Sequence, residues 1–215
     1  MDRPRIVCLP NGPYYLLTDA VPRPVEYLQN SRGESCATTR GVALCRCGGS
    51  ANKPFCDGTH GRIGFRDAKG TPRAPDARRD YVGRRITIHD NRQLCAHAGF
   101  CTDRLASVFR SGAEPWIDAD GATVEAIIDT VRRCPSGALS YSVSGVEHRD
   151  QERPPRVTVT HDGPYAVTGG VELVGVARPD GASTEHYTLC RCGASKNKPF
   201  CDGSHWDIGF TDERN

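Results

Sequence analysis

Residues 45–60 read CRCGGSANKPFCDGTH, and residues 190–205 read CRCGASKNKPFCDGSH, so one sixteen-residue pattern occurs twice in a chain of 215 residues. Each copy presents Cys-x-Cys, then eight residues, a third Cys, three more residues and a His. Thiolate and imidazole are the usual protein donors for zinc and for iron in sulfide clusters. Because the same donors recur 145 positions later, the pattern predicts two metal sites, formed by Cys45, Cys47, Cys56 and His60 and by Cys190, Cys192, Cys201 and His205.

The likeness between the copies continues on both sides of the cysteine pattern. Upstream, Gly12-Pro13-Tyr14 corresponds to Gly163-Pro164-Tyr165. Downstream, Ile63-Gly64-Phe65 corresponds to Ile208-Gly209-Phe210. Similarity at a fixed offset indicates an internal repeat. We therefore expect a unit of about 60 residues at each end of the chain, with short strands where polar and apolar residues alternate, as at 156–160.

The composition favours small metal-stabilised units over one large core. Hydrophobic residues make up 37% of the chain, which has eleven cysteines and a net charge of +2. No apolar run at the N-terminus has the length of a secretory signal, and no stretch approaches the roughly 20 apolar residues of a membrane span. We therefore expect a cytoplasmic protein that uses its cysteines for metal rather than disulfides, with no membrane or nucleic-acid partner.

The donor spacing alone leaves the identity of the metal open. Zinc sites commonly use Cys-x2-4-Cys knuckles. A Cys-x-Cys pair places two donors closer together in sequence, which suits two ligands on one iron, with the third Cys and the His on another. On this ground iron–sulfur is favoured, and a zinc-stabilised interaction module is the alternative.

The run Lys-Pro-Phe-Cys-Asp-Gly-Ser/Thr-His, placed after a Cys-x-Cys pair, resembles the mitoNEET-like CDGSH iron–sulfur family, which is named for its last five letters. The second copy matches all five letters at Cys201–His205, and the first has Thr59 in the Ser position. The resemblance implies a 2Fe–2S cluster in each copy, held by the three Cys and one His predicted above. It also implies an intramolecular pseudo-dimer, because single-motif members of the family pair through intertwined strands.

A third set of cysteines lies between the two copies. The bacterial ferredoxin pattern is C-x2-C-x2-C with a remote Cys-Pro. Cys95, Cys101 and Cys134 match its first, third and last ligands, whereas Ala98 occupies the second position and cannot bind iron. Three thiolates suit a 3Fe–4S cluster. The neighbouring His97 is the open residue: as a fourth ligand it would give a 4Fe–4S cluster, and otherwise it packs against the cluster or donates a hydrogen bond to a sulfide, which we favour.

The segment from Arg85 to Ser144 resembles divergent single-cluster ferredoxins, including those that supply electrons to bacterial haem monooxygenases. Its hydrophobic pattern predicts strands at 85–89 and 139–143 and helices at 102–110 and 122–133. The segment is therefore expected to form a small α+β domain.

Together these patterns predict an α+β protein, with two small β-rich CDGSH units and a ferredoxin-like domain. The expected divisions are a first CDGSH unit at 1–68, a linker at 69–84, a ferredoxin-like domain at 85–148 and a second CDGSH unit at 149–215. We expect a monomer with pseudo-twofold symmetry.

The predicted function is one-electron transfer with two 2Fe–2S clusters and one 3Fe–4S cluster. The sequence has neither a Walker A motif nor a strand followed by G-x-G-x-x-G, and no Ser-His-Asp set, so we do not expect an enzyme. The expected partners are redox proteins, a reductase or an oxidoreductase. The alternative is a protein that transfers clusters or senses redox state or pH through the His-ligated sites.

Overall fold

The computed structural model describes residues 4–17, 27–36, 38, 42–213 and 215. Over these residues, twelve strands form three four-stranded sheets, accompanied by four short helices. The strands are β1 (Arg5–Cys8), β2 (Tyr14–Leu17), β3 (Leu28–Gln29), β4 (Val42–Leu44), β5 (Arg78–Val82), β6 (Thr87–Asn91), β7 (Leu139–Val143), β8 (Val146–His148), β9 (Arg156–Val159), β10 (Tyr165–Thr168), β11 (Glu172–Val174) and β12 (Tyr187–Leu189). The helices are α1 (Thr59–Arg62), α2 (Phe100–Arg104), α3 (Val124–Arg132) and α4 (Ser204–Asp207), and Arg92–Leu94 forms a 3₁₀ turn.

Two of the sheets combine strands from both terminal repeats. Their strand orders are β11-β1-β2-β4 and β12-β10-β9-β3. Strand β11 of the second repeat pairs in parallel with β1, and β3 of the first repeat pairs in parallel with β9. Strands this short are marginal in isolation. Each repeat therefore completes the sheet of the other, and the two share one apolar core, to which Ile6, Leu16, Leu28, Val157 and Val167 contribute fully buried side chains.

The third sheet belongs to the middle segment and has the antiparallel order β5-β6-β7-β8. Helix α3 packs on β7, and α2 contacts α3. The Thr123 hydroxyl accepts a hydrogen bond from the Ala126 amide and caps the start of α3, while Ile127 and Val131 face the core. The mixture of small sheets and few helices agrees with the expected α+β class.

The elements of the middle segment differ from the sequence expectation in three places. The strand predicted at 85–89 is β6, displaced by two residues, and β5 lies within the segment predicted as a linker. The helix predicted at 102–110 ends at Arg104, because Leu105 adopts a φ of −142°. Phe109 lies beyond the end of this helix, forms an isolated β-bridge with Ile117, and has a fully buried ring.

Two tyrosines at equivalent positions join the repeats at their centre. Both are fully buried, and their rings meet edge to face with centroids 6.0 Å apart. Each hydroxyl proton is shared between two carbonyl oxygens in the cysteine loop of the other repeat: Tyr14 with Cys190 (2.9 Å) and Pro199 (3.1 Å), and Tyr165 with Cys45 (2.8 Å) and Pro54 (3.1 Å). Each repeat thus satisfies buried carbonyl groups of the loop opposite.

None of the helices in the described part of the chain combines the length and the hydrophobicity of a membrane-spanning segment.

We expect Tyr14→Phe and Tyr165→Phe each to lower the free energy of unfolding by about 1–3 kcal/mol while retaining the ring. Each change removes the hydroxyl donor from a buried cysteine carbonyl and leaves the proline carbonyl with its amide donor alone. Urea unfolding monitored by circular dichroism measures the effect. Tyr15→Phe is the matched control, since Tyr15 is the next residue of β2 and points outward with 37% of its surface exposed. Equal stability of the Tyr14 and Tyr15 variants would contradict the role given to the buried hydroxyl.

Candidate metal centres

Backbone pairing brings the third cysteine of each repeat back beside the first. In the first repeat, the Cys45 amide donates to the carbonyl of Pro54 (2.7 Å), and the Cys56 amide donates to that of Ala43 (2.8 Å). The second repeat has the same two bonds, from Cys190 to Pro199 (2.8 Å) and from Cys201 to Thr188 (3.1 Å). A cysteine from the strand end and one from the returning loop therefore lie side by side in each repeat.

The four donors of each repeat form two pairs. In the first repeat, the Sγ atoms of Cys45 and Cys47 lie 3.9 Å apart, and Cys56 Sγ lies 3.3 Å from His60 Nδ1. The corresponding distances in the second repeat are 3.7 Å for Cys190 and Cys192 and 3.4 Å for Cys201 and His205. Among the described residues, no three His, Cys, Asp or Glu side chains converge as ligands of a single ion. None of the eleven cysteines, all within the described ranges, forms a disulfide.

The residues after the third cysteine hold the histidine in place. Asp57 accepts hydrogen bonds from the amides of Thr59 (3.0 Å) and Ala51 (2.9 Å), and Asp202 does the same in the second repeat. Hydrogen bonds from the hydroxyl and amide of Thr59 hold the pKa of Asp57 well below its usual range. Gly58 has a φ of +82°, and its amide donates to Cys56 Sγ (3.5 Å). Amide donors to sulfur are one of the levers that tune a cluster.

The arginine between the first two cysteines anchors the loop. Arg191 is 2% exposed, donates to the carbonyls of Gly163 (2.6 Å) and Thr160 (2.7 Å), and forms a buried ion pair with Asp212. Arg46 of the first repeat pairs with Asp67 in the same way. The arginine side chain therefore fixes the Cys-Arg-Cys segment to other residues of its own repeat.

The two cysteine loops are in direct contact with each other. Cys47 and Cys192 form an antiparallel β-bridge. A Cβ atom on Gly48 would lie 2.4 Å from the carbonyl oxygen of Cys192, and one on Gly193 would lie 2.5 Å from that of Cys47. Glycine is therefore required at both positions by close backbone contact.

The two terminal sites differ in exposure. In the second repeat Cys192, Cys201 and His205 are 8%, 2% and 3% exposed, whereas Cys56 and His60 of the first repeat are only half-buried. The additional cover on the second site comes from the middle segment, since Gly203 faces His97. The same donor pattern therefore gives one partly open and one closed site.

The three middle cysteines line one cavity of about 350 Å³, together with the loop at 96–100 and Trp116. The His97 amide donates to Cys95 Sγ (3.4 Å), and Arg92 Nη1 lies 3.6 Å from the same sulfur. Burial raises the pKa of the Cys95 thiol to about 11, a shift that Arg92 opposes. Ala98 also lines the cavity, in the position that a further cysteine occupies in the ferredoxin pattern. The cavity and its thiols fit a multinuclear cluster.

Comparisons with known proteins identify both kinds of unit. The family described as "Iron-binding zinc finger CDGSH type" matches residues 11–61 and 162–206, and the family described as "Divergent 4Fe-4S mono-cluster" matches residues 81–144. The chain belongs to the CDGSH iron-binding family. Between its two CDGSH segments it carries a divergent mono-cluster domain, and it is an iron–sulfur protein.

The CDGSH protein also resembles a small bacterial relative. It is 35% identical over 63 residues to the uncharacterized protein YjdI of Escherichia coli strain K12 and to that of Escherichia coli O157:H7. The similarity covers 29% of this chain and 83% of the relative. No solved structure gives a significant match.

The predicted donors of each site lie together in this CDGSH protein, and the structure adds supporting residues. The tyrosine pair gave no metal-site signal in the sequence, because it does not belong to the donor pattern, and the sequence did not reveal the ion pairs of the two arginines. Tyr14 and Tyr165 each follow a Gly-Pro pair at equivalent positions of the two repeats. That repetition was the available signal, although it does not reveal a contact with the other repeat.

Asp90 is a buried carboxyl group on the wall of the middle cavity, with 1% of its surface exposed. Burial raises the pKa of Asp90 to about 6, although Arg92, the Trp116 side chain and Arg79 oppose the shift. The folded protein therefore takes up a proton at Asp90 at a higher pH than the unfolded chain does, and this group stabilises the fold more as the pH falls through 6.

We expect Asp90→Asn to be more stable than the wild type by about 1–3 kcal/mol at pH 7.5, with a difference that shrinks as the pH is lowered to 5. Urea unfolding at pH 5, 6 and 7.5 measures it. The exposed Asp120→Asn serves as a surface control. A difference between Asp90→Asn and wild type that does not change with pH would contradict the assignment.

Proposed function

We propose that this protein is a one-electron carrier with three clusters, a 2Fe–2S cluster at each CDGSH site and a 3Fe–4S cluster at the middle site. The observation that carries the proposal is the pairing of donors in both repeats. A tetrahedral zinc ion needs four donors around one point. Two separate pairs, Cys-Cys and Cys-His, suit two irons joined by sulfide. A bound cluster supplies the electron-accepting chemistry, and the chain holds and shields it.

For the middle site, three thiolates on one cavity support a cluster of three irons. The family that matches this segment is named for 4Fe–4S, so a fourth iron is the alternative, with His97 as its ligand. The His97 ring packs against Gly203, where a Cβ would lie 2.8 Å from the imidazole Cδ2 atom. Because this contact engages the ring with the second repeat, it favours a cluster of three irons without a histidine ligand.

The proposal includes an intramolecular pseudo-dimer of the two CDGSH units. It is supported by the reciprocal exchange of β3 and β11 and by the reciprocal tyrosine hydrogen bonds. A monomer that contains both halves needs no second copy to complete its core. The two terminal sites then meet back to back through Cys47 and Cys192, which suits transfer of electrons within one chain.

The first CDGSH site is proposed as the site of exchange with a redox partner protein. His60 is half-buried, and Ile63, three residues further on, is 56% exposed. Arg62 and Arg66 are exposed beside it. A partner with an acidic surface would bring its own redox group close to the first cluster. Nothing in this role requires a bound substrate, so we propose a carrier rather than an enzyme.

A second candidate function is cluster transfer from the first site. The half-buried His60 favours it, because a histidine ligand that solvent can reach is protonated and released more easily than a buried one. His205 is 3% exposed, so the second cluster would be retained. Incubation of the loaded protein with an apo-ferredoxin distinguishes the two functions: movement of two irons per chain supports transfer, and retention supports electron carriage.

We expect protein purified without oxygen to contain about seven irons and a near-equal amount of acid-labile sulfide per chain, without zinc. About eight irons would indicate a complete cube at the middle site. Cys56→Ser and Cys201→Ser should each lose about two irons, and Cys134→Ser about three, because each removes a ligand of one cluster. Cys36→Ser is the control, since Cys36 lies outside all three donor sets. Zinc without sulfide would refute the carrier proposal.

We expect the reduction potential of the first CDGSH cluster to fall as the pH rises, because the imidazole nitrogen that does not bind iron takes up a proton on reduction. Nδ1 of His60 faces Cys56, which leaves Nε2 as that nitrogen. Redox titrations between pH 6 and 9, monitored by electron paramagnetic resonance, measure the slope. His60→Cys should flatten it, whereas Cys36→Ser should leave it unchanged. An equal slope in wild type and His60→Cys would contradict this role.

A further inference from the structure

The middle site and the second CDGSH site are joined by two residues. The His97 amide donates to Cys95 Sγ (3.4 Å), and its carbonyl oxygen accepts a hydrogen bond from Trp206 Nε1 (3.1 Å). Trp206 follows His205 in the chain, and the two rings lie with their centroids 4.9 Å apart. A continuous series of covalent and hydrogen bonds therefore connects a ligand of one site to a ligand of the other.

A second contact runs beside the first. The His97 ring lies over Gly203, so closely that a Cβ there would be 2.8 Å from the imidazole Cδ2 atom. The Gly203 amide in turn donates to Cys201 Sγ (3.5 Å). The His97 amide thus bonds to a cysteine of the middle site, and its ring contacts the glycine whose amide bonds to a cysteine of the second CDGSH site. His97 has a φ of +53°, and in this conformation its amide, carbonyl and ring reach Cys95, Trp206 and Gly203 respectively.

We propose that His97 and Trp206 form an electron-transfer bridge between the middle cluster and the second CDGSH cluster. This inference rests on the proposed function, because it requires clusters at both sites. One electron leaves the reduced middle cluster, which is oxidised by one electron, and reaches the second CDGSH cluster, which is reduced by one. No bond forms or breaks, and a low-potential one-electron donor protein supplies the electron.

Polar contacts around the bridge hold the two sites together. Arg73 forms an ion pair with Asp207 and lies 3.3 Å from the Ser204 hydroxyl, and Asn197 donates to the carbonyl of Gln93 (3.0 Å). The segment that precedes the middle sheet and the loop that carries its first cysteine therefore both contact the second repeat. These contacts keep the separation between the clusters constant, which a transfer route requires.

The first repeat lacks this arrangement at the matching positions. Gly61 stands where the second repeat has Trp206, and Arg62 stands where it has Asp207. The first repeat therefore has neither the indole donor nor the acidic partner for Arg73. Within an otherwise repeated motif, these two differences direct the middle domain to the second site and leave the first site accessible.

The test measures electron transfer within the loaded full-length protein. A photoexcited deazaflavin reduces the protein with less than one electron per chain, and freeze-quenched electron paramagnetic resonance follows the electron from the middle cluster to the second CDGSH cluster. The variants are Trp206→Phe, which removes the indole donor, and Trp206→Gly, which reproduces the first repeat. Trp206 is 62% exposed, so neither change disturbs the core, and iron and sulfide analysis verifies cluster content.

We expect Trp206→Phe to slow the transfer several-fold and Trp206→Gly to slow it further, with unchanged iron content. Two controls should transfer electrons at the wild-type rate: Ile208→Ala, an exposed side chain of the same segment, and Gly61→Trp, which adds an indole where a Cβ meets no atom within 4 Å. Wild-type rates in both Trp206 variants, with clusters intact, would overturn the bridge and leave the carrier proposal standing. Absence of clusters from the wild-type protein would overturn both.

Discussion

The reciprocal hydrogen bonds of Tyr14 and Tyr165 are the interaction on which the rest of the structure depends. Each tyrosine extends from a strand of its own repeat and donates to two carbonyl groups in the other repeat's cysteine loop, one of a cysteine and one of a proline that also accepts from a cysteine amide. A buried carbonyl without a donor is destabilising by about 1–3 kcal/mol. Neither metal loop therefore has its native surroundings unless both repeats are folded and paired, which makes the two sites interdependent before any metal binds.

The exchange of β3 and β11 also makes each repeat depend on the other, because each strand completes the sheet of the opposite repeat. A strand of two or three residues contributes few hydrogen bonds and little apolar surface, and sheets of such strands are stable only when they pack on one another. The close approach of Gly48 and Gly193 to the opposite loop fixes how the two cysteine loops align at the Cys47–Cys192 bridge. The core between the sheets is small, so metal ligation is expected to contribute directly to folding, as it does in other small metal-bound units.

The two repeats share one local framework, but their donor sites differ in exposure. The two repeats keep the same donors, loop hydrogen bonds and arginine anchors, yet the second site is closed by the middle domain and the first is half-open. Trp206 and Asp207 contact His97 and Arg73, and the matching positions of the first repeat hold Gly61 and Arg62.

The sequence by itself determined the repeat and the family and predicted the donor residues, because ligand spacing within a loop of sixteen residues is a local property. It also indicated α3 and β7, whose periodicity is local as well. Only the tertiary structure decided that Tyr14 reaches Cys190, that Arg191 turns away to Asp212, and that His97 meets Trp206. These contacts join positions that are 176, 21 and 109 residues apart. They depend on how separate elements pack, and no local pattern of residues encodes that packing.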